Sequence, residues 1–314
     1  MNLPKVSALL LSYNHEKYLN ESINSVLNQN YTGEIEFIIS DDCSTDRSLE
    51  IINEVISKFN KLNIQVNSNS QNLGIGDHLN LLMSMAKGEL CVVFAGDDIS
   101  KHNRISAICE YWQKNGRPTS IYSAIEEIDA GGKVVRERRG VDTRVLHSNI
   151  LINKLLKREI SILGCSHAWH REVFDVFGGL DRQIVNEDRT IPVRSALLHG
   201  IGFVDEPLVQ YRITGGISDI KMTNNTELLY NYYKINSSRE LVDLMQNEKD
   251  LLLVDNKIGL KILRSRRAYI SLMNKLSNRK ANFFDFYRAV IDGASIKKCL
   301  ALFYRYYLGI FFGH

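Results

Sequence analysis

Between residues 6 and 95 the chain alternates short apolar runs with longer stretches of helical spacing. VSALLLSY (6–13), EIEFIIS (34–40), LNIQVNSN (62–69) and ELCVVFA (89–95) read as strands. NHEKYLNESINSVLNQ (14–29) has apolar residues at 19, 23, 26 and 27, one face of a helix. RSLEIINEVISKF, with a capping group among Ser44, Thr45 and Asp46, and HLNLLMSMAK, closed by Gly88, supply two more helices. Helical crossovers of this length join parallel strands, so the expected fold is α/β with a mainly parallel, Rossmann-like central sheet. Such sheets bind ligands beyond the carboxyl ends of their strands. Two acidic turns follow strands at those ends: SDDCSTD (40–46) and AGDDIS (95–100).

Past residue 104 the pattern changes. RISAICEYWQK reads as a helix. TSIYSAIEEID and KVVRERR read as a hairpin around Ala130-Gly131-Gly132. Residues 148–160 look helical, SHAWHREVFDVFGGLD (166–181) contains a short helix, and IVNEDRTIPVRSALLHG (184–200) holds another with Pro192 in its first turn. GFVDEPLVQYRI (202–213) is a further strand, and from about 225 the chain reads as wholly helical. The organisation expected is residues 1–218 as a catalytic domain and 219–314 as a helical region.

Composition excludes several classes. A hydrophobic fraction of 44% and a charged fraction of 24% are those of an ordinary globular protein. No run is long and apolar enough for a transmembrane helix or a signal peptide, and five scattered cysteines form no CxxC pair. A cytoplasmic setting is expected. Charge is uneven: residues 251–314 carry twelve Lys and Arg against three acids, and the rest of the chain twenty-seven against thirty-three. The C-terminal region therefore should face something anionic. Ten aromatics (Phe283, Phe284, Phe286, Tyr287, Phe303, Tyr304, Tyr306, Tyr307, Phe311 and Phe312) are interleaved there with Arg288, Lys297, Lys298 and Arg305. This mixture suits the inner-leaflet surface of a membrane or, equally, packing on the catalytic domain or in a homodimer. No recognition motif supports nucleic-acid binding.

Six segments, in order, carry a likeness to a known family: VSALLLSYNHEKYLNESINSVLNQ, EFIISDDCSTD, NLGIGDHLN, AKGELCVVFAGDD, NEDRTIPVR and EPLVQYRITGGIS. Over residues 4–218 the chain resembles the family 2 glycosyltransferases, whose catalytic domain has the GT-A fold. The resemblance implies an inverting, metal-dependent transfer of a sugar from a nucleotide-sugar, UDP-type foremost, to a saccharide or lipid-linked saccharide acceptor, as in bacterial O-antigen, capsule or lipopolysaccharide synthesis. It maps Asp98 to the ligand of Mn²⁺ or Mg²⁺, hard cations that prefer carboxylate oxygens. It maps Asp97 to the ribose, Asp42 to the base, Ser12 and Tyr13 to the base pocket, and Asp188 to the general base, with Glu187 supporting. Blander readings stand beside these. Asp98 can cap a helix, Tyr13 can be core, and Glu187 and Asp188 can simply favour a helix N-terminus. Arg194 reads as a structural ion pair. His167 and Trp169 are candidates to line the acceptor pocket, while HxxH (His167, His170) is weak for zinc without a third ligand.

The sequence departs from the family where Ala95 and Leu79 stand, positions at which relatives often carry an Asp and an Arg. Processive members have a QxxRW motif and membrane helices, neither of which is found. A nucleotidyltransferase of similar core, and an inactive saccharide-binding scaffold subunit, are the competing readings. NEDR and YRITGG oppose the first; the joint presence of Asp42, Asp98 and Asp188 opposes the second.

Overall fold

The computed structural model describes residues 3–144, 146–213, 226–278 and 280–307, and of 226–233 and 304–307 the backbone alone. The chain forms two compact units, Met1–Leu151 with Ile160–Thr214, and Ile152–Glu159 with Gly215–His314. The expected boundary at 218–219 lies outside the described residues.

The first unit is built on β1 (Val6–Ser12), β2 (Ile35–Asp41), β3 (Ile64–Ser68) and β4 (Leu90–Ala95), all parallel where they pair. α1 (Leu19–Leu27), α2 (Ser48–Ile56) and α3 (Gly74–Met85) make the crossovers. Every residue of β1 is buried, which requires cover on both faces and explains why its sequence is a continuous apolar run without alternation. The four helical-spacing positions of α1, Leu19, Ile23, Val26 and Leu27, are all buried in this core.

Beyond β4 the sheet becomes mixed. Short β5 (Ile99–Ser100), then α4 (Arg104–Lys114), β6 (Ser120–Ile128), β7 (Val134–Arg138) and β8 (His167–His170) follow, with α5 (Ser148–Leu156) between β7 and β8. α6 (Glu172–Phe177), α7 (Ile191–Leu197) and β9 (Ile201–Arg212) complete the unit. The strand order is β3-β2-β1-β4-β8-β6-β9-β5, with β7 on β6. β8 was not legible as a strand: four residues, HAWH, gain their pairing from β4 and β6 on either side. The expected helix over 184–200 divides into a 3-10 turn, Glu187–Arg189, and α7.

Register places the ligand edge. Ser12 pairs with Asp41, and Leu11 with Ala95, so the three strands end level with one another. At the opposite edge the buried Glu36 carboxylate accepts hydrogen bonds from Ser7 Oγ (2.5 Å), Lys87 N (2.5 Å) and Gly88 N (3.0 Å). It thereby ties β1, β2 and the turn into β4.

The second unit is helical among its described residues: α8 (Thr226–Leu253), α9 (Lys257–Ser277), α10 (Phe283–Ile291) and α11 (Ile296–Tyr307), together with the end of α5. Leu272, Leu276, Phe286, Ala289, Ala294 and Cys299 form its own small core. Of the ten aromatics, the side chains of Tyr304, Tyr306, Tyr307, Phe311 and Phe312 lie outside the described residues.

A Cβ on Gly88 would stand 2.4 Å from the backbone nitrogen of Ser7. Gly88→Ala should therefore destabilise the first unit by about 1–3 kcal/mol, seen as a lower denaturant midpoint. Unchanged stability would contradict so close an approach of β1 and the β4 turn.

Candidate active site

Parallel strands deliver the acidic turns, and the turns are then laced to one another. Asn14, in the left-handed region at φ 56°, accepts from Thr45 N at 2.8 Å and donates its own N–H to Ser44 Oγ at 2.8 Å. His15 N donates to Ser48 Oγ and Glu16 N to Asp46. Asp46 also accepts from Ser48 N at 2.9 Å, supporting the start of α2. The loops after β1 and β2 thus form one rigid rim. Ser12, at the end of β1, is buried, and its hydroxyl has no partner. Tyr13 is 44% exposed on this rim, which removes the core-packing reading for its ring.

Asp41 and Asp42 divide their work. Asp41 closes its own turn by accepting from Ser44 N and Ser44 Oγ. Asp42 accepts from Asn69 Nδ2 (2.8 Å), Leu73 N (2.9 Å) and Gly74 N (3.0 Å). The last two are orphan donors at the start of α3, so Asp42 holds the glycine loop in place. Gly74, at φ 73°, admits the turn. Asn80 brackets the backbone of Leu180 from α3, and buried Leu79 beside it belongs to the core. No phosphate-binding arginine comes from this helix.

Asp97 and Asp98 follow β4. Asp98 is only 5% exposed. Its Oδ1 accepts from Arg212 N at 2.9 Å, while Oδ2 is buried with no partner. Burial first, then the neighbouring Asp97, pushes its carboxyl up to about 7. A buried, unpartnered carboxylate oxygen fits a hard divalent cation. Among the described residues no group of three or more His, Cys, Asp or Glu could hold an ion. A cation at Asp98 would thus draw its remaining ligands from phosphate oxygens and water, the usual habit of Mg²⁺.

Three residues around Asp98 were not anticipated from sequence. Arg212, 3% exposed, donates to the Asp97 carbonyl (3.0 Å), the Asp129 and Ala130 carbonyls and the Glu21 carboxylate (2.9 Å), and stacks 4.3 Å over Tyr18. Arg104, fully buried, donates to Val93 O and Ser100 Oγ and lies over Phe94. Burial lowers its guanidinium to about 10 against the pull of Cys165 and Asp98. Cys165, in the 3-10 turn Gly164–Ser166, presents its thiol to Asp98; burial of the sulfur and that carboxylate raise it well above the usual thiol range. The signal available was a lone Arg ending an apolar strand (LVQYRI), a placement that demands partners.

The same 3-10 turn reaches the second pair of acids. A Cβ on Gly164 would meet Glu187 Oε1 and lie 3.8 Å from the Cβ of Asp188. Glu187 and Asp188 sit partly buried in the turn Glu187–Arg189, on the loop before α7. One short turn therefore touches Asp98 through the Cys165 thiol and Glu187 and Asp188 through Gly164. α7 is anchored by Arg194, which is fully buried, donates to the Gly178 and Gly179 carbonyls and faces Phe174 and Phe177.

The acceptor-side candidates need correction. His167 and Trp169 are each 1% exposed, so neither ring is available to a sugar. They belong to β8, where neighbouring strands enclose them; Trp169 packs against His167 at 5.5 Å and Phe174 at 6.2 Å. Burial and nearby Arg104 push the His167 imidazole down to about 3, so it stays neutral. His170 is stacked on Trp112 at 6.1 Å, and among the described residues neither histidine belongs to a group of three or more that could hold an ion.

Comparison with known proteins gives results of three kinds. The sequence model described as glycosyl transferase family 2 matches residues 7–178. An uncharacterized glycosyltransferase of Haemophilus influenzae is 29% identical over 271 residues, covering 83% of this chain and 77% of that protein. The poly(ribitol-phosphate) beta-N-acetylglucosaminyltransferase TarS of Staphylococcus aureus is 36% identical over 95 residues, 30% of this chain and 16% of that one. Among solved structures, S. aureus TarS 1–349 in complex with UDP-GlcNAc superposes with a TM-score of 0.58 at 16% identity, covering 98% of this chain and 93% of that one. The mannosyltransferase PcManGT from Pyrobaculum calidifontis, in complex with GDP-Man and Mn²⁺, superposes with 0.54 at 12% identity, covering 99% and 89%. At such identities these structures speak for the fold, which is GT-A.

Burial raises the Asp98 carboxyl to about 7, so below that pH a cation bound there would have to displace a proton. Mn²⁺ affinity, measured by electron paramagnetic resonance, should rise about tenfold per pH unit up to pH ~7 and then level off. Asp98→Asn should be weak and flat across the same range. A flat wild-type profile would remove Asp98 as the ligand.

Proposed function

The chain belongs to glycosyl transferase family 2 and is a glycosyltransferase; on that premise we propose an inverting, metal-assisted transfer centred on Asp98 and Asp188. The observation that supports this reading is the turn Gly164–Ser166, in which the Cys165 thiol meets the Asp98 carboxylate while Gly164 lies against Glu187 and Asp188, so that one turn touches both the candidate metal ligand and the candidate base. The donor is a nucleotide-sugar, UDP-type foremost. Structural neighbours bind UDP-GlcNAc, UDP and GDP-Man, which supports that class.

In this reading Ser12, Tyr13 and the rim around Asp42 receive the base. Ser12 offers an unpartnered hydroxyl and Tyr13 an exposed ring. Asp42 acts mainly by fixing the loop, since its oxygens already accept three N–H groups. Asp97 faces the ribose. A bound Mn²⁺ or Mg²⁺ supplies Lewis-acid stabilisation of the departing diphosphate. Asp98 would hold that ion, and Arg212 N keeps the carboxylate oriented. Asp188 accepts the proton of the acceptor hydroxyl as that oxygen bonds to the anomeric carbon. The bond from that carbon to the diphosphate oxygen breaks with its electron pair, and configuration inverts. Glu187 positions the base from beside Gly164.

The acceptor is a saccharide, in the lipid-linked form used in O-antigen, capsule or lipopolysaccharide synthesis. Support comes from the second unit. No described helix is long and apolar enough to cross a membrane. Yet α10 exposes Phe283, Phe284, Tyr287 and Ile291, and α11 exposes Ile296 and Leu300, beside Arg288 and Lys297. An apolar face edged with cations suits an anionic membrane surface.

Asp188→Asn should lower transfer roughly a thousandfold while donor binding survives; a fully active variant would remove Asp188 as base. Phe284→Ser with Tyr287→Ser should weaken sedimentation with anionic vesicles. If vesicle binding is unchanged and a dimer dissociates, the face is a protein interface.

A further inference from the structure

A second site, separate in its residues from the carboxylates, lies within the helical unit. A cavity of about 1170 Å³ is walled by α9, α10, the turn into α11 and residues 157–159. Its frame is fixed by specific contacts. Asn282 and Asp285 form a capping box at the start of α10. Ser265 Oγ donates to the Gly293 carbonyl at 2.5 Å, and Gly293, at φ +98°, makes the turn between α10 and α11. Leu272, Leu276, Phe286 and Cys299 pack the helices together beneath.

Eight Lys and Arg line this cavity against three carboxylates, Glu159, Asp285 and Asp292. Some of the cations are answered locally. Lys275 pairs with Asp285 at 2.5 Å, Arg266 with Glu240 at 2.7 Å, and Arg267 with Glu248. Lys157, Lys261 and Arg264 have no acidic partner within ion-pair distance among the described residues, and Lys298 lies 5.7 Å over the Tyr269 ring. Arg288 lies one turn beyond Asp285 on α10, and that carboxylate is already paired with Lys275. Lys261 and Arg264 stand one turn apart on the same face of α9, where like charges repel. Cations gathered on a concave wall are repaid when an anion enters.

We propose that this cavity binds a phosphate-bearing anion, a diphosphate or phosphodiester group, gripped by Lys157, Lys261, Arg264, Arg288 and Lys298. Guanidinium forks match phosphate oxygens in pairs, and ammonium groups add point charges. The volume exceeds what one small ion fills, so the group arrives as part of a larger molecule, either a lipid headgroup or a soluble phosphate ester. The site stands on the helical unit alone and is independent of the transfer mechanism above.

The test uses the full chain and inorganic pyrophosphate in EDTA, so that no cation-dependent binding at Asp98 contributes. Calorimetry should show saturable binding. Lys261→Glu with Arg264→Glu should weaken it by about tenfold or more. The charge-matched pair Lys234→Glu with Lys280→Glu, exposed and outside the cavity, should leave it nearly unchanged. An unchanged helical circular-dichroism signal and melting transition in the first pair show that the fold survived. Displacement of pyrophosphate by phosphatidylglycerol vesicles assigns the anion to a lipid headgroup, and undisturbed binding assigns it to a soluble ester. No saturable binding by the wild type, or equal losses in both pairs, overturns the site.

Discussion

The hydrogen bond from Arg212 N to Asp98 is the interaction on which the site depends. It joins the end of β9 to the turn after β4, residues 114 apart in sequence. The side chain of the same arginine reaches Glu21 on α1 and the carbonyls of Asp97, Asp129 and Ala130. A buried guanidinium is tolerated only when its donors are met. Here they are met by segments that otherwise have no reason to converge. The cost of burying this charge is thereby converted into a fixed position for the Asp97–Asp98 turn.

Around that point the first unit divides its acids by environment. Asp41, Asp42 and Asp46 are spent on backbone N–H groups and hydroxyls, and make the rim rigid. Asp98, which accepts from Arg212 N through Oδ1, keeps its Oδ2 buried without a hydrogen-bond donor, beside Arg104 and Cys165. A carboxylate held in that state binds a cation or a proton. Ala95 adds no third acid beside the pair, and Leu79 is absorbed into the core.

Much of this was legible before the structure. The four parallel strands and three crossovers could be read because each is a local pattern: an apolar run, a helical spacing, a glycine or acidic stop. Their order brought SDDCSTD and AGDDIS to one edge by topology alone, and the register of Ser12 with Asp41 and Leu11 with Ala95 agrees. β8 escaped because four residues carry no usable period; its strand state is conferred by β4 and β6. His167 and Trp169 were misplaced for the same cause. A histidine and a tryptophan near polar residues suggest a sugar contact, but whether a ring faces solvent is set by neighbouring strands.

The sequence by itself determined the α/β class, the parallel half of the sheet, the edge where acids gather and the family likeness, since these follow from backbone periodicity and short spacing. The tertiary structure alone decided which acids are consumed as caps and which remains unpartnered. It alone brought Arg212, Cys165 and Gly164 to Asp98 and Asp188. Within the helical unit, it alone curved an even scatter of lysines and arginines into a cationic cavity. Hydrogen-bond saturation and burial depend on contacts between residues tens to more than a hundred positions apart. No local pattern encodes them.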